Sequence, residues 1–202
     1  MKKANKIMKS KKNIKEELNK KLGIQISDKI WNEAHTKLNN LYLKYDNLPA
    51  GVAKHTDSFI FPIAAIYLSI KEEAPEKAFE IMEYTMKEKS SATGKSLSKM
   101  VSIPGFKKLF IKMWHKMSHS MFGEAAGFKN TFYPCQKGEF KMDILECPYN
   151  KYLTELGCPE ITILFCNNDI YTYGNIPGLK FTRTKTIGAG DDLCDFKMEI
   201  QK

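Results

Sequence analysis

Arginine is almost missing from this sequence. The chain has 202 residues, and of its 32 basic residues 31 are lysine and only Arg183 is arginine. Lysine evidently suffices wherever a positive charge alone is needed. The remaining arginine is therefore a candidate for a position that requires the planar, multi-donor guanidinium group. The alternative is an arginine that has remained on the surface by chance.

Long hydrophobic runs and a secretory signal are also missing. The longest apolar run, 59–70, is shorter than the ~20 residues that a membrane span needs, and it contains Pro62. It predicts a buried helix and no membrane span. The N-terminus starts with lysines but has no continuous apolar segment, which argues against a secretory signal. We therefore expect a cytoplasmic protein.

Cysteine is scarce, and the motifs of several enzyme classes are absent. Five cysteines, an odd number, are too few for a disulfide scaffold and predict reduced thiols. No CxxC pair occurs, which disfavours a zinc site, although a thiolate metal site formed by Cys147, Cys158, Cys166 and Cys194 is a minority alternative. No phosphate loop, GxGxxG, GxSxG or HExxH motif occurs, so nucleotide-dependent and serine-hydrolase chemistry lose support. We expect neither a metal nor a cofactor.

The formal net charge of +9 is concentrated at one end of the chain. Residues 1–21 hold nine lysines and two glutamates, and the rest is nearly neutral. A nucleic-acid partner is therefore not predicted. We interpret 1–24 as a Lys-rich helix or arm with a solvated face, in preference to loose association with an anionic surface.

The hydrophobic pattern predicts an α+β fold. A single domain, 25–202, would consist of a helical part, 25–122, packed on a small C-terminal antiparallel sheet with one or two short helices, 123–202. Ser27 is the expected cap of the first helix of this domain, and Ser90 to Gly94 is expected to break a later one. The pattern predicts strands at 128–134, 140–147, 179–187 and 193–200. It leaves 160–173 open between strand and helix.

The densest group of candidate functional residues lies near the last predicted hairpin. A lone arginine on a sheet face beside polar groups is suited to bind a small carboxylate, and the alternative is a surface cross-strand pair for Arg183. Cys166 ends an apolar run and is followed by the polar residues 167–169, the last of which is Asp169. This boundary position makes Cys166 a better candidate for a reactive thiol than the other cysteines. His55 lies in a predicted polar loop between helices, where functional residues are common.

The C-terminal part of the chain contains several spaced motifs. They are Glu146-Cys-Pro-Tyr149, Gly157-Cys-Pro-Glu160, Phe165-Cys166-x-x-Asp169, Pro177-Gly178 and Arg183-x-x-Thr186-x-x-x-Gly190-x-x-x-Cys194-Asp195-Phe196. Together these motifs resemble one known family, the L-2-amino-thiazoline-4-carboxylic acid hydrolases. The resemblance covers about 40–202, leaves 1–24 outside, and favours a helix at 160–173.

The resemblance implies a ring-opening hydrolase of cysteine metabolism. Its expected substrate is a small cyclic C–N or C–S compound such as L-2-amino-thiazoline-4-carboxylate, which water would open to a carbamoyl-cysteine. By hypothesis Arg183 binds the carboxylate, Asp169 or Asp195 acts as general base or acid, and Cys166 is the nucleophile if the route is covalent. Further candidate substrate-binding residues are Thr186, Cys194, Cys147, Tyr149 and His55.

A second interpretation keeps the fold but not the chemistry. A non-catalytic domain of the vinyl-reductase type would bind or sense a small molecule without turnover. The hydrolase interpretation expects a small-molecule carboxylate as partner, and the sensor interpretation expects an apolar or carboxylate ligand. Oligomerisation is left open. The sequence does not distinguish covalent from direct attack by water.

Overall fold

The protein has an α+β fold, as the sequence predicts. A computed structural model describes residues 2–134, 136 and 138–201. The helices are α1 (Lys2–Lys9), α2 (Lys12–Leu22), α3 (Ile24–Lys44), α4 (Ala50–His55), α5 (Phe61–Glu73), α6 (Pro75–Val101), α7 (Phe106–Met121), α8 (Pro148–Glu155) and α9 (Thr162–Tyr173). The strands are β1 (Lys129–Phe132), β2 (Glu139–Glu146), β3 (Leu179–Thr182) and β4 (Cys194–Ile200). A π-helical turn covers Thr56–Ile60, and 3₁₀ turns cover Glu124–Ala126, Pro159–Ile161 and Ile187–Ala189.

The four strands form one antiparallel sheet in the order β1-β2-β4-β3. Phe140 pairs with Met198 and Met142 with Phe196. All four of these side chains are buried, because alternate residues of a strand point to the same face of the sheet. They belong to one apolar cluster with Ile111 of α7, which covers that face.

The helical part has its own core around α5. Residues 61–67 of this helix are all buried, which confirms the buried helix predicted from the apolar run 59–70. Ile30, Ala34 and Leu38 of α3 pack against it on one side and α6 packs on another. Among the described residues, no helix is both long and apolar enough to cross a bilayer.

The Lys-rich N-terminal segment is helical and has the predicted solvated face, since most of its lysines are exposed, and its apolar side packs on the helical core. Ala4, Met8, Ile14 and Leu18 are buried with the residues of α3 and α5. Alternation of apolar residues with lysines lets one side join the core while most ammonium groups stay outside. Lys11 is the exception, and it is buried.

Two predicted helix boundaries were wrong. Helix α3 begins at Ile24, so Ser27 lies inside it and is buried rather than capping it. Helix α6 continues through Gly94, where a Cβ atom would lie 2.8 Å from the carbonyl oxygens of both Tyr171 and Thr172 in α9. The glycine there serves close helix packing rather than a break.

The predicted strand 179–187 ends early, at Thr182. The carboxylate of Asp195 accepts hydrogen bonds from the backbone N–H groups of Thr184 and Lys185, so these residues leave the β-ladder. Arg183 consequently lies beyond the strand and reaches toward α9. The segment 160–173 is a 3₁₀ turn followed by α9, which confirms the helix favoured by the family resemblance.

Candidate functional site

A cavity of about 370 Å³ lies between the helical part and the sheet. That volume suits a small organic ligand. Its walls are mainly apolar, with a few polar and charged groups that converge from different elements. The apolar wall residues are Ile14, Phe59, Ile63, Met86, Met121, Phe122, Phe128, Ile144, Phe165 and Phe196.

Seven of the nine residues predicted from the sequence line this cavity, and two do not. Helices α8 and α9, strand β4, the end of α4, the residue between β2 and α8, and the segment after β3 supply them. The two outside the cavity are Thr186 and Asp195. Those that line it are His55, Cys147, Tyr149, Cys166, Asp169, Arg183 and Cys194.

Arg183 joins the C-terminal segment to α9. Only 5% of its side-chain surface is exposed. Its Nη1 donates a hydrogen bond to the Cys166 carbonyl oxygen at 2.6 Å and lies 3.5 Å from Asp169 Oδ2. Cys166 and Asp169 are three residues apart in α9 and therefore share a helix face. The guanidinium group is thus fixed against one side of the cavity, beside the carboxyl.

The Asp169 carboxyl ionises close to pH 7, well above the pH at which an aspartate usually ionises. Desolvation raises its pKa to about 7, and the smaller opposing influence is the positive charge of Arg183. Although 38% of its side-chain surface is accessible, that surface borders a cavity with mostly apolar walls, so water solvates it poorly. A carboxyl with such a pKa can take up and release a proton near pH 7.

Two of the thiols at the cavity, those of Cys166 and Cys147, are protonated rather than activated. Burial is the largest influence on Cys166 and raises its pKa, although Thr186 and Arg183 act in the opposite direction. Burial also raises the pKa of Cys147 to about 12. The thiolate is the nucleophilic form of cysteine, so neither residue has the setting of a reactive thiol.

His55 and Tyr149 form a polar pair in the cavity wall. The prediction that His55 lies in a polar loop was wrong, because it is the buried last residue of α4, which continues into the π-helical turn. His55 Nε2 lies 2.8 Å from the Met121 carbonyl oxygen, and Nδ1 lies 2.9 Å from the Tyr149 hydroxyl. The pKa of His55 is lowered, mainly by burial, so its ring is neutral at pH 7. A carbonyl oxygen only accepts, so Nε2 carries the proton and Nδ1 accepts from Tyr149. This arrangement fixes the Tyr149 ring in the cavity wall.

The sequence of this chain matches a known protein family. A family model for L-2-amino-thiazoline-4-carboxylic acid hydrolase matches residues 54–198. The chain belongs to this family. The match confirms the resemblance seen in the motifs, and it includes all seven predicted residues that line the cavity. No similar protein was found among curated proteins, and no similar fold among solved structures.

Asp195 and Thr186, the two predicted residues outside the cavity, form hydrogen bonds near Arg183 instead. Asp195 is bonded to the Thr184 N–H at 2.7 Å and to the Thr184 hydroxyl at 2.6 Å. Burial opposes its ionisation, but these bonds outweigh it and the pKa of Asp195 is lowered. The Thr186 hydroxyl lies 3.5 Å from Cys194 Sγ. We therefore propose that both residues fix the segment that carries Arg183.

Two cationic residues of the cavity, Lys11 and Lys89, are not predicted from the sequence. Lys11 precedes α2, outside the region matched by the hydrolase family model, and its Nζ donates to the Ser58 carbonyl oxygen at 2.9 Å. Lys89 is on α6. Nothing in a chain with 31 lysines distinguishes these two by composition or motif.

Metal ligation has no support in the part of the chain that the structure describes. Within residues 2–134, 136 and 138–201, no three or more His, Cys, Asp or Glu side chains are grouped to hold a metal ion. Cys158 is buried in the helical core, apart from the cavity that Cys147, Cys166 and Cys194 border. The four cysteines of the minority metal hypothesis therefore do not surround one point.

Proposed function

We propose that the protein is a hydrolase that opens the ring of a small cyclic carboxylate such as L-2-amino-thiazoline-4-carboxylate. The observation that carries the proposal is the pairing of Arg183 with Asp169 at the wall of an apolar cavity. Arg183 supplies the planar donor group that a carboxylate binds, and Asp169 supplies a carboxyl that exchanges protons near pH 7. Membership of the family supports the same reaction class.

In the proposed mechanism the substrate carboxylate binds Arg183. Asp169 in its ionised form removes a proton from water, whose oxygen attacks C2 of the ring, and the ring nitrogen takes up that proton. The resulting tetrahedral centre collapses to a urea carbonyl as the C2–S bond breaks. The proton of the added hydroxyl passes to the ring sulfur, which leaves as a thiol. The product is a carbamoyl-cysteine.

The raised pKa values of the cavity thiols Cys166 and Cys147 favour direct attack by water over a covalent route. Cys166 and Cys147 have raised pKa values, so a covalent intermediate on sulfur would require deprotonation of a poorly acidic group. In this scheme Cys166 shapes the wall, and its backbone carbonyl oxygen orients Arg183. Tyr149, held by His55, contacts the substrate ring or its exocyclic nitrogen.

The same cavity supports a second candidate function, binding or sensing without turnover. Its mostly apolar wall and its protonated thiols are the features that favour this alternative. It predicts saturable binding of a carboxylate ligand and no product.

The proposal is tested by product analysis. The purified protein is incubated with L-2-amino-thiazoline-4-carboxylate, and mass spectrometry looks for a product heavier by one water that contains a free thiol. Asp169→Asn is expected to abolish product formation. Asp46→Asn, a change at an exposed aspartate outside the cavity, is the matched control and is expected to leave it unchanged. Binding without product in the unmodified protein would favour the sensor alternative.

A further inference from the structure

Lys11 is a buried cation that has no charged partner among the residues that the structure describes. Only 6% of its surface is exposed, and it lies at the corner between α1 and α2, where it borders the cavity. An ammonium group has three N–H donors, and the structure gives it one acceptor, the Ser58 carbonyl oxygen. Within the described residues, no Asp or Glu oxygen lies within 4.0 Å of its Nζ.

Other lysines of the same segment differ from Lys11 in this respect. Lys3, Lys15 and Lys21 each form an ion pair with an acidic residue, at 2.6, 2.6 and 3.0 Å respectively. The segment therefore neutralises these more exposed ammonium groups and leaves the most buried one uncompensated. Since an unpaired charge is unfavourable inside a protein, this arrangement points to an anion that is supplied from outside the chain.

The surroundings of Lys11 add further positive potential. Lys89 of α6 borders the same cavity, and its charge acts together with burial, the larger cause, to lower the pKa of Lys11 to about 8. Helix α2 begins at Lys12 with no acidic residue in its first turn, and Asn13 and Ile14 of that turn also line the cavity. The positive end of a helix favours anions, so it reinforces the two lysines.

This group is separate from the Arg183 site. Lys11 contacts the Ser58 carbonyl, and its Nζ lies 5.4 Å from the centre of the Phe59 ring. Arg183 instead contacts Cys166 and Asp169 of α9. The cavity thus has cations on two different walls.

We propose that Lys11 and Lys89 form a second anion-binding subsite, and that the natural ligand of the cavity carries two anionic groups. One is the carboxylate at Arg183, for which the inference rests on the proposed function, and the other is a further carboxylate or comparable small anion at Lys11. The proposed substrate class thereby narrows to cyclic amidines or thiazolines that carry a second anionic group on a side chain, in addition to the carboxylate bound by Arg183. Because Lys11 lies outside residues 54–198, it would give this chain a substrate preference that family membership does not specify.

The experiment compares dicarboxylates with monocarboxylates of the same chain length. Isothermal titration calorimetry at pH 7 and constant ionic strength measures the binding of glutarate, adipate, pimelate and suberate, and of pentanoate, hexanoate, heptanoate and octanoate. The unmodified protein is expected to bind at least one dicarboxylate tenfold or more tightly than its matched monocarboxylate. Monocarboxylates binding as tightly as every dicarboxylate would overturn the inference.

Variants assign the preference to the subsite. Lys11→Met keeps an unbranched side chain without the charge, and it is expected to remove the tenfold preference while monocarboxylate binding is unchanged. Lys12→Met changes an exposed neighbour outside the cavity and is expected to keep the preference. Lys89→Gln, at an exposed position, is expected to reduce the preference at least threefold and carries the test if Lys11→Met does not fold. An equal effect on both ligand series, or none, would contradict the subsite.

The inference and the proposed function fail in different ways. If the protein does not hydrolyse L-2-amino-thiazoline-4-carboxylate but binds dicarboxylates through Lys11, the subsite stands and the hydrolase proposal falls. If it hydrolyses that monocarboxylate and Lys11→Met changes neither series, the subsite falls and the hydrolase proposal stands.

Discussion

Replacing Arg183 by lysine keeps the positive charge but removes the planar guanidinium group. In the structure one nitrogen of that group bonds the Cys166 carbonyl oxygen at 2.6 Å and also lies 3.5 Å from Asp169 Oδ2. The other donors of the group have no partner within the described part of the chain, so a substrate carboxylate can accept from them. A lysine side chain is shorter and ends in a compact ammonium group. It cannot keep the contact with α9 and also bind a carboxylate through two parallel hydrogen bonds.

The size of the effect follows from the bonds that are lost. A hydrogen bond to a charged group contributes about 1.5–3 kcal/mol. Losing one such bond to the substrate predicts a fall in kcat/KM of roughly 10- to 150-fold for Arg183→Lys, since about 1.4 kcal/mol corresponds to a factor of ten. The assay is steady-state release of thiol from the thiazoline acid.

A matched control is available on the neighbouring strand. Lys180→Arg exchanges the same two residue types at an exposed position that is paired with Glu199, and it is expected to leave kcat/KM unchanged. Unchanged kinetics in Arg183→Lys, with the same thermal stability as the control, would refute the role of Arg183 in carboxylate binding.

Three further predictions follow from the site and from the helix packing. Since general-base catalysis needs the ionised form of Asp169, whose pKa is raised to about 7, kcat/KM is expected to increase as the pH rises from 5 to 9, with half its maximum near pH 7. A profile flat through that range would contradict the role of Asp169. Cys166→Ala is expected to retain thiazoline turnover within about tenfold, because the thiol is not the nucleophile in the direct route; complete loss in a folded variant would favour a covalent one. Gly94→Ala places a Cβ atom 2.8 Å from two carbonyl oxygens of α9 and is expected to lower the free energy of unfolding by about 1–3 kcal/mol in urea titration, whereas Ser96→Ala on the exposed side of α6 should change it little.

The Asp169 prediction extends to stability, with a defined sign. Its folded-state pKa of about 7 lies above the ordinary aspartate value of 3.8. The folded protein therefore holds more protons between these values, and the contribution of Asp169 to stability decreases as the pH rises from 4 to 7. Asp169→Asn removes that dependence, so the variant is expected to be inactive but to lose less thermal stability between pH 5 and pH 8 than the unmodified protein.

Much of the fold follows from local pattern. The apolar run 59–70 leaves no polar face for a helix, and the strands of the sheet alternate apolar and polar residues, so the buried helix α5 and the sheet could both be predicted. The end of β3 could not, because it depends on hydrogen bonds from Thr184 and Lys185 to a side chain on another strand, Asp195. The continuation of α6 through Gly94 depends in the same way on how closely α9 approaches.

The candidate site was predictable to the extent that its residues belong to spaced motifs. Arg183 and Asp169 were found because one is a unique residue type and both lie in the family signature. Lys11 was not found, because its importance arises from burial of one lysine among many and from the packing of α2 against the helical core. Burial of a charge is a tertiary property, which local sequence patterns do not show.

The central claim is that Arg183 and Asp169 together open the ring of a cyclic carboxylate. Product analysis by mass spectrometry after incubation with L-2-amino-thiazoline-4-carboxylate tests it most directly. We expect a carbamoyl-cysteine whose formation is lost in Asp169→Asn and is reduced in Arg183→Lys. Saturable binding of the thiazoline acid without any product, or the same product rate in all three proteins, would contradict the claim.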